Sequence, residues 1–426
     1  MMPYLSLLIW IPLFGAMAVA ACQGNDRWAL RLAGCVTVLS LALCGPLIHG
    51  FQSDLSGFQF QELSAWIPAW GAHYALGIDG LTLPLVVLTV VTHALIVLTA
   101  QRLVKTQISQ YLAVFLALQG VTIGVFTALD TLLFYCFWEG ILIPMYLCIG
   151  IWGAESRSYA SMKFFLYTFL GSALLLISLI YIAFQANGFD WHAAVTQPLS
   201  LTAQKWLFCG FLFAFAVKVP MWPVHTWLPD AHTEAPAAGS VVLAALMLKV
   251  GAYGFFRFCL PILPDGSRFF ASPMLALSLI AIVYIGLVAL TQKDMKRLIA
   301  YSSVAHMGFV TLGCFSVYLI AYQGGEVFAQ MAMEGALIQM VAHAFGSGAM
   351  FLAFGLLYTQ YHTRLIERFG GLAKVMPVFA ACFMIFALTN VGLPGTAGFV
   401  GEFMVIVSLF QGHAGLALCA GLTLVI

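Results

Sequence analysis

The sequence predicts an all-α polytopic membrane protein, and three observations carry that prediction. Of 426 residues, 62% are apolar and 8% charged, with a mean hydropathy of +1.00, whereas soluble domains carry about 25% charged residues. Apolar runs of about 20 residues, the length that crosses a bilayer, recur to the end of the chain. No stretch has the composition of a separate soluble domain. A soluble enzyme, a disordered chain and a nucleic-acid binder are excluded together. The net charge of +1 says nothing about partners.

Residues 4–22 read as a retained first span. Val19-Ala20-Ala21-Cys22 imitates a lipoprotein cleavage site, but no Lys or Arg precedes the apolar run, and Arg27 and Arg31 follow it. That polarity is wrong for a signal peptide. Further spans fall near 28–50, 80–101, 110–128, 131–152, 162–185, 205–228, 238–260, 272–291, 297–320, 335–358 and 376–410. A last one starts near 414 and stops incomplete at Ile426, giving about 13 spans. Connections are short except 51–79 and 186–204. Of seventeen Lys and Arg, twelve follow odd-numbered spans, three (Lys205, Arg257, Arg268) follow even-numbered ones, and Lys218 and Lys249 lie inside spans. Cytoplasmic loops hold the excess of Lys and Arg. The expectation is a multi-pass protein of the bacterial inner (cytoplasmic) membrane, with its N-terminus on the outer side.

The ten cysteines include no C-x-x-C pair and none with a nearby His at ligand spacing. They read as small core residues. No metal site is expected, and no Gly-rich loop after a strand marks a nucleotide.

Chemistry is expected where charge enters hydrocarbon. Glu139, Lys218, Lys249 and Glu402 fall well inside apolar spans. Each costs roughly 2.5–3.5 kcal/mol at a helix centre, so the four together cost on the order of 10–14 kcal/mol. An ion pair used only for helix docking could explain one Glu and one Lys. Four charges of both signs along the chain point instead to a proton relay, because burial disfavours the charged form of each and lets them trade a proton. His306 and His343, also inside spans, can relay through either ring nitrogen. His225 and His232, near the cytoplasmic end of the seventh span, are candidates for proton uptake. So are Asp230 and Glu234 in the connection Pro229–Pro236, which has no Lys or Arg of its own. It reads either as a short polar turn or as an acidic mouth that gathers protons. His192, His362 and His413 read as loop residues.

Two spans are interrupted: the seventh by Pro220, Pro223 and Pro229, the twelfth by Gly392, Pro394, Gly395 and Gly398. Proline frees a backbone carbonyl, and a break survives in a membrane only against protein or water. Broken helices at matching positions in two halves mark transport sites in repeat-built transporters. Each break here is fourth in a block of five, starting at spans four and nine, beside Lys218 or Glu402. The same offset aligns Glu139 with His306. Five spans is an odd number, so the blocks are expected to be inverted. The division is 1–106, an N-terminal three-span segment; 107–262, the first five-helix repeat; and 263–426, the second repeat, cut short.

Three long motifs carry a resemblance. Phe215 to Pro220 leads into His225-Thr226-Trp227-Leu228-Pro229-Asp230-Ala231-His232-Thr233-Glu234-Ala235-Pro236-Ala237-Ala238-Gly239-Ser240 and Lys249-Val250-Gly251-Ala252-Tyr253-Gly254. The second runs from Asp294 to Gly308, through Ala305-His306-Met307. The third is Gly392-Leu393-Pro394-Gly395 with Phe399-Val400-Gly401-Glu402-Phe403. Together they resemble the antiporter-like subunits of respiratory complex I over nearly the whole chain. Glu402 marks the M-type branch, since the L- and N-type sisters carry lysine at that position.

The resemblance implies an antiporter-like fold with inverted five-helix repeats inside a fourteen-helix protein. It implies that Glu139 pairs with Lys218 as a switchable ion pair, that Lys249 is the central relay, that His306 and His343 bridge the halves, and that Glu402 passes the proton outward. It implies no cofactor in this chain. NADH, FMN, iron–sulfur clusters and quinone are expected in partner subunits. The partners expected are the other membrane-arm subunits, above all the two sister antiporter-like subunits, and the lipid bilayer, with no nucleic acid. A family member should complete the thirteenth span and add a fourteenth. The stretch Gly324 to Gly335, with Glu326 and Glu334, reads as a long polar connection on the outer side. The alternatives are a subunit of a multi-subunit Na+/H+ antiporter, the membrane arm of an energy-converting hydrogenase, and a non-pumping scaffold.

Overall fold

Lipid offers backbone groups no partner, so each apolar run must meet its N–H and C=O groups within its own segment, as a helix does. A computed structural model describes residues 2–424. Among them, ten helices are long and apolar enough to span a bilayer. They match ten of the expected spans, and the seventh and twelfth are each built from shorter pieces. The chain divides into two units. The first runs to Gly153 and includes Thr168–Pro198; the second holds Ala154–Tyr167 and the chain from Leu199 on.

The first unit contains α1 (Tyr4–Ala21), α2 (Asp26–Gly50), strands β1 (Gln59–Ile67) and β2 (Ala72–Ile78), α3 (Thr82–Leu103), α4 (Ile108–Thr127), α5 (Thr131–Trp152), the second part of α6 (Arg157–Ala186) and the short α7 (Trp191–Thr196). α1 and α4 touch backbone to backbone: a Cβ on Gly120 would lie 2.5 Å from the Ile9 carbonyl oxygen. The 51–79 connection, expected only as a long link, folds into an antiparallel hairpin, β1 on β2, turning at Pro68–Trp70. The hairpin serves the helices. Glu62 accepts from Leu5 N (2.8 Å) and Ser6 N (3.1 Å), meeting two of the four donors that every helix start leaves open. Asp130 accepts from Leu132 N and Leu133 N at the start of α5 and from His73 N of β2 (2.8 Å). Burial raises the Asp130 carboxyl above its ordinary value. α5 is interrupted at Ile141, between Thr131–Gly140 and Leu142–Trp152.

The second unit holds the first turns of α6, then α8 (Leu201–Lys218), α9 (Trp227–Glu234), α10 (Ala237–Ile262), α11 (Pro264–Leu290), α12 (Met295–Tyr322), α13 (Glu326–Tyr361), α14 (Pro377–Val391), α15 (Ala397–Gly412) and α16 (Ala414–Gly421). Both expected breaks are present. α8 ends at Lys218, and the Val217 carbonyl beside the break accepts from Trp227 Nε1 at 2.9 Å. α14 ends at Gly392 (φ +74), with Gly395 at φ +95 before α15 begins. Both are left-handed values open to glycine at no steric cost. Two π-helical turns, Leu243–Met247 and Phe255–Cys259, flank Lys249 in α10. Such turns inside α-helices occur often at functional sites.

One expected connection is mostly helix. α13 begins at Glu326, so the link from α12 is only 323–325, and Glu334 lies on the third turn, where it accepts from Gln330. A helix can project beyond the hydrocarbon, so polar side chains at its start do not end it. A short helix begins at Ala414, where the last span was expected to start; Val425 and Ile426, to which that expectation extends, lie outside the described residues.

Candidate functional site

Four helices of the second unit bring four of the expected residues into one line. Lys249 of α10 is fully buried. Its Nζ donates to the Ala244 carbonyl (2.7 Å) and to Nδ1 of His343 on α13 (2.5 Å). The His343 and His306 rings lie 5.6 Å apart between centroids, inclined at 56°. His306 of α12 meets Oε1 of Glu402 on α15 through Nδ1 at 2.6 Å. Glu402 is 3% exposed. Its Oε1 also accepts from Gln339 Nε2 at 2.8 Å. Close helix contact makes this reach possible: a Cβ on Gly401 would lie 2.7 Å from Gln339 N, and one on Gly335 3.1 Å from the Gly401 carbonyl oxygen.

The line alternates donors and acceptors. While Lys249 is charged it can only donate, and in that state His343 Nδ1 accepts and its proton sits on Nε2. Between His306 and Glu402 the imidazole donates and the carboxylate accepts. Each hydrogen-bonded step is short, and the histidine-to-histidine step joins the two halves of the line. Four separate helices contribute, so moving any one of them changes a link.

Lys218, 3% exposed, ends α8 against α10, where a Cβ on Gly251 would lie 2.7 Å from Val219 N and 2.9 Å from Lys218 Cβ. Glu139 sits in the last turn before the α5 interruption, in the first unit. Glu139 and Lys218 belong to different units, and their pairing stands on the resemblance alone.

The uptake candidates are less exposed, and more paired, than a bare acidic mouth. Asp230 meets Lys163 Nζ at 2.7 Å and Arg297 Nη2 at 3.5 Å. Glu234 accepts from Ser156 N (2.8 Å) and lies 3.7 Å from Arg364 Nη1. The segment has no cation of its own, but cations from three distant elements converge on it. His232 is fully buried and stacks on Phe351 (centroids 4.4 Å, 2°). His225 is buried with its ring edge-on to Tyr301 at 6.4 Å. Among the described residues, no group of three or more His, Cys, Asp or Glu could hold a metal ion.

Four polar residues were not singled out from sequence. Gln339 holds Glu402; it sits four residues before His343 on the same face of α13, a spacing that could have revealed it. Asn390 bridges Ser347 (2.9 Å) and Ser302 (3.2 Å) beside the α14 break. Lys296 donates to the Ala235 carbonyl at 2.6 Å. Arg364 joins Asp294 (3.0 Å) to the Thr233 carbonyl (2.9 Å).

Two helices broken near buried ionisable groups, with a polar line across four apolar helices, define a membrane subunit of the antiporter-like class. The profile of the family described as NADH:quinone oxidoreductase/Mrp antiporter, TM, matches residues 128–426. NADH-quinone oxidoreductase subunit M of Rhodobacter capsulatus is 46% identical, over 98% of this chain and 82% of the relative. NADH-ubiquinone oxidoreductase chain 4 of Marchantia polymorpha is 39% identical, over 99% and 83%. A chain of the structure described as respiratory complex I from Thermus thermophilus with bound NADH superposes with a TM-score of 0.88 at 30% identity, covering 99% of this chain and 85% of that one. The chain belongs to the NADH-quinone oxidoreductase subunit M family.

Proposed function

We propose that this chain is a proton-translocating membrane-arm subunit of an NADH–quinone oxidoreductase, and that protons cross its second unit along Lys249, His343, His306 and Glu402. The observation that carries the reading is the buried line itself: two hydrogen-bonded pairs, 2.5 and 2.6 Å, joined by two adjacent imidazoles. Lys249 gives its proton to His343 Nδ1; His343 releases one from Nε2 towards His306 by ring rotation or through a bridging water; His306 passes it to Glu402. Glu402 lies at the second helix break and releases it to the outer side. Glu139 and Lys218 form the input switch. When Lys218 loses its carboxylate partner, the charged lysine is disfavoured and its proton moves on to Lys249. Protons enter from the cytoplasmic face past His225, His232, Asp230 and Glu234.

In this reading the chain binds no redox cofactor; NADH, FMN, iron–sulfur clusters and quinone reside in partner subunits. Its neighbours are the two sister antiporter-like subunits. Its membrane is the bacterial inner membrane, with the N-terminus outside. The test is a mild-detergent pull-down of the chain from its native membrane. Flavin and iron–sulfur subunits in the eluate support the reading. Antiporter subunits without any redox partner overturn it and move the function to cation exchange.

A further inference from the structure

Away from the Asp230 cluster, at the other end of the second unit, the start of α11, the end of α12 and the start of α16 meet around a cavity of about 550 Å³. Its lining grades from charge to hydrocarbon. Arg268, Tyr322 and His413 stand at the helix ends, and Leu275, Leu279 and Leu319 line the depth. Small residues along α11, Ala271, Ser272 and Ala276, open the groove between them. From Arg268 to Leu279 the helix rises about 16 Å at 1.5 Å per residue. That is about half of the roughly 30 Å hydrocarbon core, the depth of one leaflet.

The mouth is basic. Lys205 and Arg268 are two of only three Lys and Arg expected on that side of the membrane. Lys205 Nζ lies 3.5 Å over the ring of Phe269, the residue next to Arg268. The nearby acid, Asp265, is held by Gln204 Nε2 at 3.2 Å. No carboxylate pairs with Arg268 among the described residues. His413 Nδ1 accepts from Leu416 N (3.3 Å) at the start of α16, which leaves its Nε2–H to donate. Cation and ring N–H at the rim, with a hydrocarbon slot one leaflet deep, match a phosphodiester carrying an acyl chain. A free phosphate would leave the slot unused, and a zwitterionic lipid would bring a second cation to the arginine.

We propose that this slot holds one anionic diacyl phospholipid, its phosphodiester at Arg268 and one acyl chain along Leu275, Leu279 and Leu319. The site is separate from the buried proton line, so its failure would leave that reading untouched.

The test uses the full chain in its native membranes. Phosphatidylglycerol or phosphatidylcholine with a photoactivatable diazirine on the acyl chain is incorporated, and labelled peptides are mapped by mass spectrometry. Phosphatidylglycerol is expected to label α11 between Ala271 and Leu279 about fivefold more than phosphatidylcholine, the factor one unit charge carries near a membrane surface. Arg268→Glu, an exposed change that leaves the packing alone, is expected to erase that preference. Ala276→Trp, also on an exposed position, fills the groove and is expected to remove labelling by both lipids. Equal labelling by the two lipids, a preference that survives Arg268→Glu, or no labelling of α11 would each overturn the proposal.

Discussion

Gly401→Ala tests how finely the line is held. A Cβ there would lie 2.7 Å from Gln339 N and 2.8 Å from Gln339 Cα, and both are backbone atoms that no rotamer change can move. Ordinary contact is 3.4 Å, so α15 and α13 must part by about 0.7 Å. The Gln339–Glu402 bond, now 2.8 Å, then stretches to about 3.5 Å, beyond hydrogen-bond range. Glu402 moves with α15, so its 2.6 Å contact with His306 loosens too. Overpacking costs about 1–3 kcal/mol of stability. A lost bond to a charged group is worth about 1.5–3 kcal/mol, or about 10- to 150-fold in the rate of the step it supports. The assay is proton uptake per NADH oxidised in sealed membrane vesicles, with Gly34→Ala as control, since a Cβ at Gly34 meets nothing within 4 Å. The variant should assemble, melt several degrees lower and pump poorly, while the control matches wild type. Wild-type pumping and melting in Gly401→Ala would refute the reasoning.

Further outcomes are expected. Glu402→Lys should retain more pumping than Glu402→Ala, because a lysine at that position, which the resemblance implies for the sister subunits, can still take up and release a proton; equal loss would count against that resemblance. Glu62→Ala strips the α1 start of its acceptor and should lower stability by about 0.5–2 kcal/mol, read as a lower melting temperature in detergent; an unchanged melt would show that the hairpin does not cap α1.

Helix positions were legible because a lipid-crossing helix must be long, apolar and internally satisfied, and the runs at 4–22 or 80–101 leave no other choice. The breaks were legible from Pro220 and from Gly392 with Pro394. The hairpin was not. β1 reads Gln59-Phe60-Gln61-Glu62-Leu63 and its register shifts twice, so it lacks a steady alternation, and Phe60 takes a positive φ of 53° that no pattern announces. The start of α13 was hidden because Glu326 and Glu334 resemble a loop when only hydropathy is read. For the site, Lys249, His306, His343 and Glu402 stood out one by one as polar groups in apolar spans. Their order along a single line depends on helix packing at Gly335 and Gly401, which sequence spacing does not encode. The ion pairs of Asp230 and Glu234 were hidden for the same reason, since Lys163, Arg297 and Arg364 come from distant segments.

The central claim is that protons pass through the Lys249–His343 link, and His343→Leu tests it most directly. Leucine fills the ring's volume but neither accepts from Lys249 nor passes a proton to His306. The measurement is the proton-to-electron ratio during NADH oxidation in sealed vesicles, together with the amount of assembled complex. The account predicts an assembled complex whose ratio falls below wild type. A wild-type ratio in assembled His343→Leu complex would contradict it.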